Sequence, residues 1–464
     1  MKVSQNWLKE LVDINTTPEV LAEKLSIGGF EVESLKDTSL QVKGVLLGNV
    51  LSVEKHPNST KLSVCQVDIG NKNILQIVCG ARNIKSDIHV YVATVGSYLS
   101  SIGLSIKKSE IRGVSSEGMI CSLEELGLDS NSDGIEIIDP LTIKDHKLGT
   151  EASKILGLND HIFDLAITAN RPDGMSVIGI AREISALLQT KLTLPPEHEI
   201  INLNAFKTDK LCQETINSEC IYTISYIDNV NGKQTSPKWI KERLEKSDIK
   251  SKNLIVDITN YILLEQGQPL HAFDLEKLSQ LIGREVLPED FGVRKAKNGE
   301  FLTALDGIKY ELNENISIVV CSDKPVAIAG VIGGLETAVT EQTSSIILEG
   351  AVFNPSIIRK SSREVGIRTE SSSRFEKGIS FRNTLNSLSR AFYLLNQYFK
   401  ESKPTIYSSK VINKEKKSIK LRRERIYKIL GPIVYNSNNE LGKIQVKKRN
   451  LNDREITDKL KLIG

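Results

Sequence analysis

The sequence predicts a multidomain α+β protein, and its length and pattern both support this. Its 464 residues exceed what a single hydrophobic core usually supports. Residues 40–150 contain short strand-like runs separated by turn residues, whereas residues 200–404 alternate strand candidates with helical stretches. We therefore expect three or four domains, and the segments that the pattern separates are 1–39, 40–150, 151–198, 199–404 and 405–464.

The composition is that of an ordinary globular protein, with 26% charged and 40% hydrophobic residues. No apolar run approaches the roughly 20 residues that a membrane-spanning helix needs. The first residues also lack the apolar stretch of a secretory signal. Six cysteines are scattered without CxxC pairs, which indicates reduced thiols and argues against a disulfide framework or a zinc site. We expect a cytoplasmic protein with no membrane contact and no metal ligands that can be named.

Charge is distributed unevenly along the chain. Residues 405–464 contain sixteen Lys or Arg and six Asp or Glu. This segment therefore carries +10 and the remainder −7, within a total of +3. A basic segment on a mildly acidic body suggests a nucleic-acid partner, although runs of charge are usually solvated faces.

Residues 1–38 are expected to form two short helices. Trp7, Leu8, Leu11 and Val12 make the apolar stripe of the first, and Thr17-Pro18 begins the second. A further helix is expected over residues 175–188, with Ser176 as its cap.

Residues 40–150 are expected to form a small closed β-barrel, with the OB-fold as the candidate. The strand candidates are Val42–Val53, Leu62–Ile69, Ile74–Val78 and Val90–Val95. Basic residues in the flanking loops could bind phosphates, although surface lysines also serve solubility. These residues are Lys55, His56, Lys61, Lys107, Lys108 and Arg112.

Residues 199–404 are expected to form a mixed α/β domain. Its strand candidates are Tyr222–Ile227, Ile316–Cys321, Val326–Ile332 and Ser345–Leu348, and its helical stretches are 237–247, 254–265 and 384–399.

The most informative stretch is 257–274, DITNYILLEQGQPLHAFD. Its first half has a helical apolar face, and Gly267-Gln268-Pro269 ends that helix. We expect His271 on a stiff turn beside a helix that carries Thr259 and Asn260, two side chains able to hold a water or a substrate hydroxyl. A structural histidine is the competing interpretation.

Residues 405–464 open with a basic strand and helix, KKSIKLRRERIYKILG, and end with a second helix, Asp453 to Leu462, capped by Asn452. Two short helices with basic flanks suit a partial winged-helix-like domain. Between them, Tyr435 to Asn450 is expected to be a flexible loop.

Four of these stretches carry a resemblance. DITNYILLEQGQPLHAFD resembles the signature of the editing domain in the β subunit of bacterial phenylalanyl-tRNA synthetase. VEKHPNSTKLSVCQVDIG, QIVCGARNI and IRGVSSEGMICSLEELGL resemble blocks of a tRNA-binding OB domain. The resemblance covers essentially the whole chain and implies the N-terminal portion of such a subunit, with the OB barrel inserted into a small α+β domain ahead of a B3/B4-like editing domain.

The resemblance also implies an editing pocket. The matching positions are Thr259, Asn260, His271, Gly330, Glu349, Thr369 and position 371, where Ser371 stands in place of the family's usual Ala. His271, Glu349, Thr259 and Asn260 would act in hydrolysis, and Gly330, Thr369 and Ser371 would line the pocket.

Glu349 has the chemistry for a filter between tyrosine and phenylalanine. It follows the apolar run Ile346-Ile347-Leu348, so we expect its carboxylate at a strand end facing a cavity. There it could accept a hydrogen bond from a phenolic hydroxyl, which phenylalanine lacks. The alternative is a salt bridge to Arg363 or Arg374.

The implied function is hydrolysis of tyrosine mischarged onto tRNA(Phe). An α subunit would use ATP for aminoacylation within an α2β2 tetramer, and Mg²⁺ ligands would lie beyond Gly464. Two alternatives remain: a tRNA-binding scaffold with an inert pocket, and a free-standing hydrolase of small aminoacyl esters. A small substrate needs neither the barrel nor the basic segment.

Overall fold

The computed structural model describes residues 1–70, 73–128, 132–197, 203–205, 220–399, 405–409, 419–438 and 444–463. The chain divides into two compact units. One comprises Met1–Val3, Trp7–Glu33 and Asp164–Gly464, and the other comprises Ser4–Asn6 and Ser34–Phe163. No helix within the described residues is long and apolar enough to span a membrane.

The first residues form β1 (Lys2–Ser4), α1 (Gln5–Leu11), α2 (Pro18–Ile27) and β2 (Glu31–Asp37). Both predicted helices are confirmed, and the Thr17 side chain accepts from the Val20 amide to cap α2. The strands were not predicted. The sequence of β2, EVESLKD, is largely polar and has no β-branched or aromatic run, so its strand character depends on pairing and not on local preference.

The next ten strands form a six-stranded, barrel-like sheet and two separate pairs. They are β3 (Val45–Lys55), β4 (Ser63–Asp68), β5 (Ile74–Cys79), β6 (His89–Thr94), β7 (Tyr98–Leu99), β8 (Leu104–Ser105), β9 (Ser109–Ile111), β10 (Val114–Ser116), β11 (Gly118–Ile120) and β12 (Ile137–Ile138). The order in the sheet is β11-β6-β3-β4-β5, and β12 pairs with β6; the separate pairs are β7 with β8 and β9 with β10. The Glu117 amide donates to the Gln76 carbonyl at 2.8 Å, which joins the two edges of the sheet. The four predicted strands are confirmed within a few residues.

Three elements follow the barrel: α3 (Ala152–Ile155), β13 (His161–Ala166) and α4 (Val177–Leu188). The predicted cap of α4 is confirmed, because the Ser176 hydroxyl accepts from the Gly179 amide at 3.0 Å.

The elements from residue 203 to residue 408 form a mixed α/β unit with two main sheets. The elements are β14 (Leu203–Ala205), β15 (Ile221–Ile227), α5 (Lys238–Glu245), α6 (Leu254–Gln266), β16 (Leu270–Asp274), α7 (Leu275–Ile282), β17 (Phe291–Lys295), β18 (Glu300–Thr303), β19 (Lys309–Leu312), β20 (Ser317–Cys321), β21 (Lys324–Ile328), β22 (Ile332–Gly333), β23 (Ile346–Val352), α8 (Pro355–Glu364), α9 (Glu370–Phe375), α10 (Phe381–Asn396) and β24 (Ile406–Ser408). The sheet orders are β14-β24-β15-β23-β16 and β17-β20-β21-β22.

Three predictions about this unit were wrong in detail. His271 lies on strand β16 and not on a turn, because Leu270 to Asp274 pair with β23. Glu349 lies in the middle of β23, since Gly350 and Ala351 continue the pairing on both sides. The run Val326–Ile332 is interrupted by a turn at Gly330, whose φ is +66°. In each case pairing with distant strands decided the outcome.

The last described elements are α11 (Arg423–Leu430), β25 (Ile433–Asn438), β26 (Ile444–Arg449) and α12 (Asp453–Ile463). The expected loop over Tyr435 to Asn450 was wrong, because β25 and β26 form an antiparallel hairpin. Asn452 caps α12 as predicted, with its side chain accepting from the Glu455 amide at 2.9 Å. The start of the predicted basic strand, up to residue 418, lies outside the described residues.

A buried ion pair joins α6 to α10. Arg390 donates to both carboxylate oxygens of Glu265 at 2.9 and 3.1 Å, and the Tyr261 hydroxyl donates to the same carboxylate at 2.8 Å. The side chains of Arg390 and Glu265 are 7% and 1% exposed. Removing one partner of such a pair leaves a buried charge uncompensated, so the pair links the helix carrying Thr259 to the rest of the unit.

We expect Glu265→Gln to lower the free energy of unfolding by about 3 kcal/mol, because the guanidinium then lacks its counter-charge in a buried site. Unfolding in urea, followed by circular dichroism, measures this change. Glu242→Gln is the matched control, since Glu242 forms only an exposed pair with Lys238 at 3.6 Å. An equal effect of the two substitutions would contradict the prediction.

Candidate active site

One cavity of about 330 Å³ brings together all seven predicted pocket residues. The floor comes from the strands of both sheets, and one side comes from α6 and the start of α9. The predicted residues that line it are Thr259, Asn260, His271, Gly330, Glu349, Thr369 and Ser371. A cavity of this size with mostly apolar walls and a few convergent polar groups is typical of a small-molecule site.

His271 faces Glu349 across the β16–β23 pair, where the two residues are in direct register. Its ring packs edge-on against Phe273, with ring centroids 4.5 Å apart. Its Nε2 is buried and makes no hydrogen bond with the described residues. Burial lowers the pKa of His271 to about 4, so the imidazole is neutral near pH 7 and able to accept a proton or a hydrogen bond.

Glu349 is a buried carboxyl group, only 7% exposed. The Tyr222 hydroxyl donates to its Oε2 at 2.9 Å. Burial raises the pKa of Glu349 to about 7, and the hydrogen bond from Tyr222 opposes that rise. Among the described residues, no ion pair joins Glu349 to Arg363 or Arg374, and Arg374 instead binds Glu370 at 2.6 Å. The salt-bridge alternative for Glu349 is therefore wrong.

Thr259 and Asn260 lie on α6, which begins at the Asn253 cap and ends at Gly267 with φ +74°. The Thr259 hydroxyl donates to the Val256 carbonyl at 2.7 Å, so its lone pairs remain for a ligand. Asn260 is half-buried at the cavity wall and carries both donor and acceptor atoms.

Part of the cavity wall is backbone whose carbonyls accept hydrogen bonds from two hydroxyls at the start of α9. Thr369 donates to the Val331 carbonyl at 2.9 Å and also caps α9. Ser371 donates to the Gly330 carbonyl at 3.2 Å. The hydroxyl that Ser371 adds therefore bonds to the wall of the cavity.

Sequence reasoning missed two residues of this site. Tyr222 is fully buried, and its only local signal is its place in a strand-like run. Gly333 lies against His271, since a Cβ built there would sit 2.4 Å from Cε1 and 2.7 Å from Nε2 of the ring. Gly333 belongs to the run AIAGVIGG at 327–334, whose glycines allow a close backbone approach, but nothing local in the sequence identifies the group that lies there.

The six basic residues predicted to bind phosphate differ in their exposure to solvent. Five of them are exposed: Lys55, Lys61, Lys107, Lys108 and Arg112. Lys108 pairs with Glu117 at 2.6 Å. His56 is 4% exposed, and its ring accepts from the Asn58 amide and contacts the Ile111 carbonyl, both at 3.0 Å. Because both ring nitrogens are engaged, His56 holds two loops together and does not fit a phosphate contact.

No group of three or more His, Cys, Asp or Glu within the described residues is arranged to hold a metal ion. The cysteines that the structure describes are buried free thiols: Cys65, Cys79, Cys121, Cys220 and Cys321. Cys212 lies outside the described residues.

A barrel-like sheet combined with a mixed α/β unit holding this cavity defines a two-part protein, and comparison with known families identifies both parts. Residues 45–144 match the family model described as "Putative tRNA binding domain", and residues 219–400 match the "B3/4 domain". Along its whole length the chain is similar to phenylalanine–tRNA ligase beta subunits, which confirms the resemblance of its motifs.

Relatives of that name match along nearly the whole chain. The proteins of Prochlorococcus marinus subsp. pastoris and of P. marinus strain MIT 9312 are each 66% identical over 100% of this chain. That of Synechococcus sp. strain CC9605 is 47% identical over 93% of the chain. The chain spans 56% of the length of the first two relatives and 53% of the third.

We expect Gly333→Ala to lower the free energy of unfolding by about 1–3 kcal/mol, because the new methyl group overlaps the His271 ring. Urea unfolding of the wild type, both single variants and Gly333→Ala/His271→Ala tests this cause. The alanine at position 333 should cost less where His271 is absent. Equal costs in both backgrounds would contradict the clash.

Glu349 should make stability depend on pH. Its pKa is about 7 in the folded chain and 4.5 ordinarily, so the folded state holds more protons between these values. Its contribution to the free energy of unfolding is therefore present below pH 4.5 and lost as pH rises to about 7, by about 3 kcal/mol. His271 acts with the opposite sign between pH 4 and 6.5.

The comparison of wild type with Glu349→Gln isolates this contribution, because His271 is common to both proteins. Relative to the variant, the wild type should be more stable at pH 5 than at pH 8. Unfolding in urea at the two pH values provides the measurement. A stability difference that does not change with pH would refute a buried carboxyl of raised pKa.

Proposed function

We propose that the cavity hydrolyses tyrosine that has been attached by mistake to tRNA(Phe). The observation that carries this proposal is the buried Glu349 carboxyl in a cavity that is also lined by apolar side chains of both sheets. The tyrosine ring would lie on the apolar wall with its hydroxyl donating to Glu349. Phenylalanine would fill the same space and leave the carboxylate without that donor, which is costly in a buried site.

The hydrolytic step would depend on positioning. The neutral His271 ring, with its unbonded Nε2, and the side chains of Thr259 and Asn260 would orient the ester and an attacking water. The substrate's own ribose hydroxyl would assist. No nucleophile is assigned, because the cavity residues include no serine or cysteine bonded to a histidine base.

The barrel would bind tRNA as an OB-fold. Its exposed Lys61, Lys107 and Arg112 lie in loops between strands, Lys55 is the last residue of β3, and Lys108 would have to leave Glu117 to take part. The remaining layout proposed is a small α+β domain from 1–39 and 151–198, a B3/B4-like editing domain over 199–404 and a winged-helix-like domain over 405–464.

In the cell, the chain would support charging of tRNA(Phe) by an α subunit, in an α2β2 assembly in the cytoplasm. ATP would be used at the α subunit. The family also implies Mg²⁺, but the described residues do not fit such an ion, because none of their acidic side chains form a suitable cluster. No step proposed here uses the metal.

We expect the purified chain to release tyrosine from Tyr-tRNA(Phe) much faster than phenylalanine from Phe-tRNA(Phe). Glu349→Ala should remove most of this selectivity, since the hydroxyl loses its acceptor. Ser371→Ala should keep it, because the Ser371 hydroxyl bonds to the wall of the cavity. Release of labelled amino acid at fixed tRNA concentration measures all four rates.

An inactive chain should be tested again with its α subunit present. If it still cleaves neither ester but binds tRNA, the chain is a tRNA-binding scaffold with an inert pocket. Selective cleavage that survives Glu349→Ala would show that another group recognises the hydroxyl.

A further inference from the structure

The Glu349 carboxylate already accepts a hydrogen bond from one phenol, the side chain of Tyr222. Tyr222 lies two residues before Ile224, the residue of β15 that pairs with Glu349, and therefore on the same face of the sheet. Its hydroxyl donates to Oε2 at 2.9 Å, and the side chain is fully buried. Within the described residues Oε1 accepts no hydrogen bond, so it is the oxygen with both lone pairs available to a ligand in the cavity.

Packing holds the Tyr222 ring in place. It stacks on Phe291 with centroids 6.1 Å apart, Phe291 contacts Phe273 at 5.9 Å, and Phe273 contacts His271 at 4.5 Å. The ring therefore cannot swing away when a ligand enters without disturbing the core. Burial also keeps the pKa of Tyr222 well above its usual range, so the hydroxyl remains a donor.

We propose that Tyr222 is a positioning residue that sets the preference for tyrosine over phenylalanine, by fixing Oε2 of Glu349 and presenting Oε1 to the substrate's phenol. This inference rests on the proposed function, since it assigns the selectivity of the same cavity. A carboxylate held at one oxygen offers its second oxygen in one orientation, which a freely rotating or protonated carboxyl does not.

Near pH 7 Glu349 changes charge, whereas the neighbouring ionisable groups Cys220 and His271 do not. Burial raises the pKa of Cys220, on the Tyr222 side, to about 12 and lowers that of His271, on β16, to about 4. Lys252 and Glu370 lie at the exposed wall. Loss of the Tyr222 hydrogen bond should therefore raise the pKa of Glu349 further and favour its protonated form.

The test measures binding of L-tyrosine amide and L-phenylalanine amide to the full chain by calorimetry at pH 7.5 and pH 9. Tyr222→Phe should lower the ratio of the two affinities about tenfold at pH 7.5, with partial recovery at pH 9 as Glu349 ionises. Tyr226→Phe is the matched control. It removes a hydroxyl from the same strand that donates to the Val286 carbonyl at 3.1 Å, and the ratio should not change.

A double-mutant cycle separates positioning from simple loss of packing. In the Glu349→Gln background, Tyr222→Phe should have little further effect on the ratio, because the residue acts through the carboxylate. An unchanged ratio in Tyr222→Phe, or an equal loss in both backgrounds, would overturn the inference. A wild type that binds both amides equally would also overturn it.

Amide binding tests the role of Tyr222, and ester cleavage tests the proposed function, so the two can fail separately. If the wild type prefers tyrosine and Tyr222→Phe abolishes this preference, the inference stands even where no ester is cleaved. If the wild type cleaves the tyrosyl ester selectively and Tyr222→Phe binds both amides as the wild type does, only the inference fails.

Discussion

The burial of the Glu349 carboxyl is the constraint on which the site depends. It lies in the middle of β23, which has a hydrogen-bonded neighbour on each side, and it lines the cavity. A buried carboxylate is costly unless hydrogen bonds compensate it, and Tyr222 supplies one such bond. The neighbouring strands thus provide a donor on one side and the His271 ring on the other.

Part of the cavity wall is formed by the backbone around Gly330 and Gly333. A Cβ at Gly330 would lie 2.9 to 3.1 Å from atoms of Phe375, Ile358 and Phe353, and Gly333 gives way to the His271 ring. Both positions exclude larger residues for reasons of space. Thr369 and Ser371 donate to the carbonyls of this turn and so hold this part of the wall in place.

The sequence predicted the components of the site better than their arrangement. The motif around residues 257–274 and its resemblance identified residues that prove to share one cavity, and helix caps such as Ser176 and Asn452 were readable because capping is local. His271 was misplaced on a turn because its strand exists only by pairing with β23. Tyr222 was missed for the same reason, since its partner is 127 residues away.

The hairpin of β25 and β26 and the burial of His56 show the same limit on a smaller scale. Composition rich in Asn, Ser and Lys indicated a loop, yet the backbone of each strand is satisfied by the other. His56 read as a phosphate contact beside Lys55, but its ring nitrogens are engaged by backbone groups on two different loops. The local sequence pattern shows that a residue is polar, but it does not show whether that residue bonds to solvent or to another part of the protein.

The charge states of His271 and Glu349 favour recognition of a ligand through a hydrogen bond to Glu349 rather than through an ion pair. Near pH 7 the His271 ring is neutral, because its pKa is about 4, and Glu349, with a pKa of about 7, is partly protonated. Neither residue therefore forms an ion pair with the other. Under the proposed function, a tyrosine side chain would donate a hydrogen bond to the carboxylate in place of water, whereas phenylalanine would exclude water and donate none. The unpaired acceptor costs about 1–3 kcal/mol, and more where it is charged, which corresponds to at least about a tenfold preference. The apolar side chains of the cavity would accept both rings, so discrimination would rest on this one acceptor and on the residues that hold it.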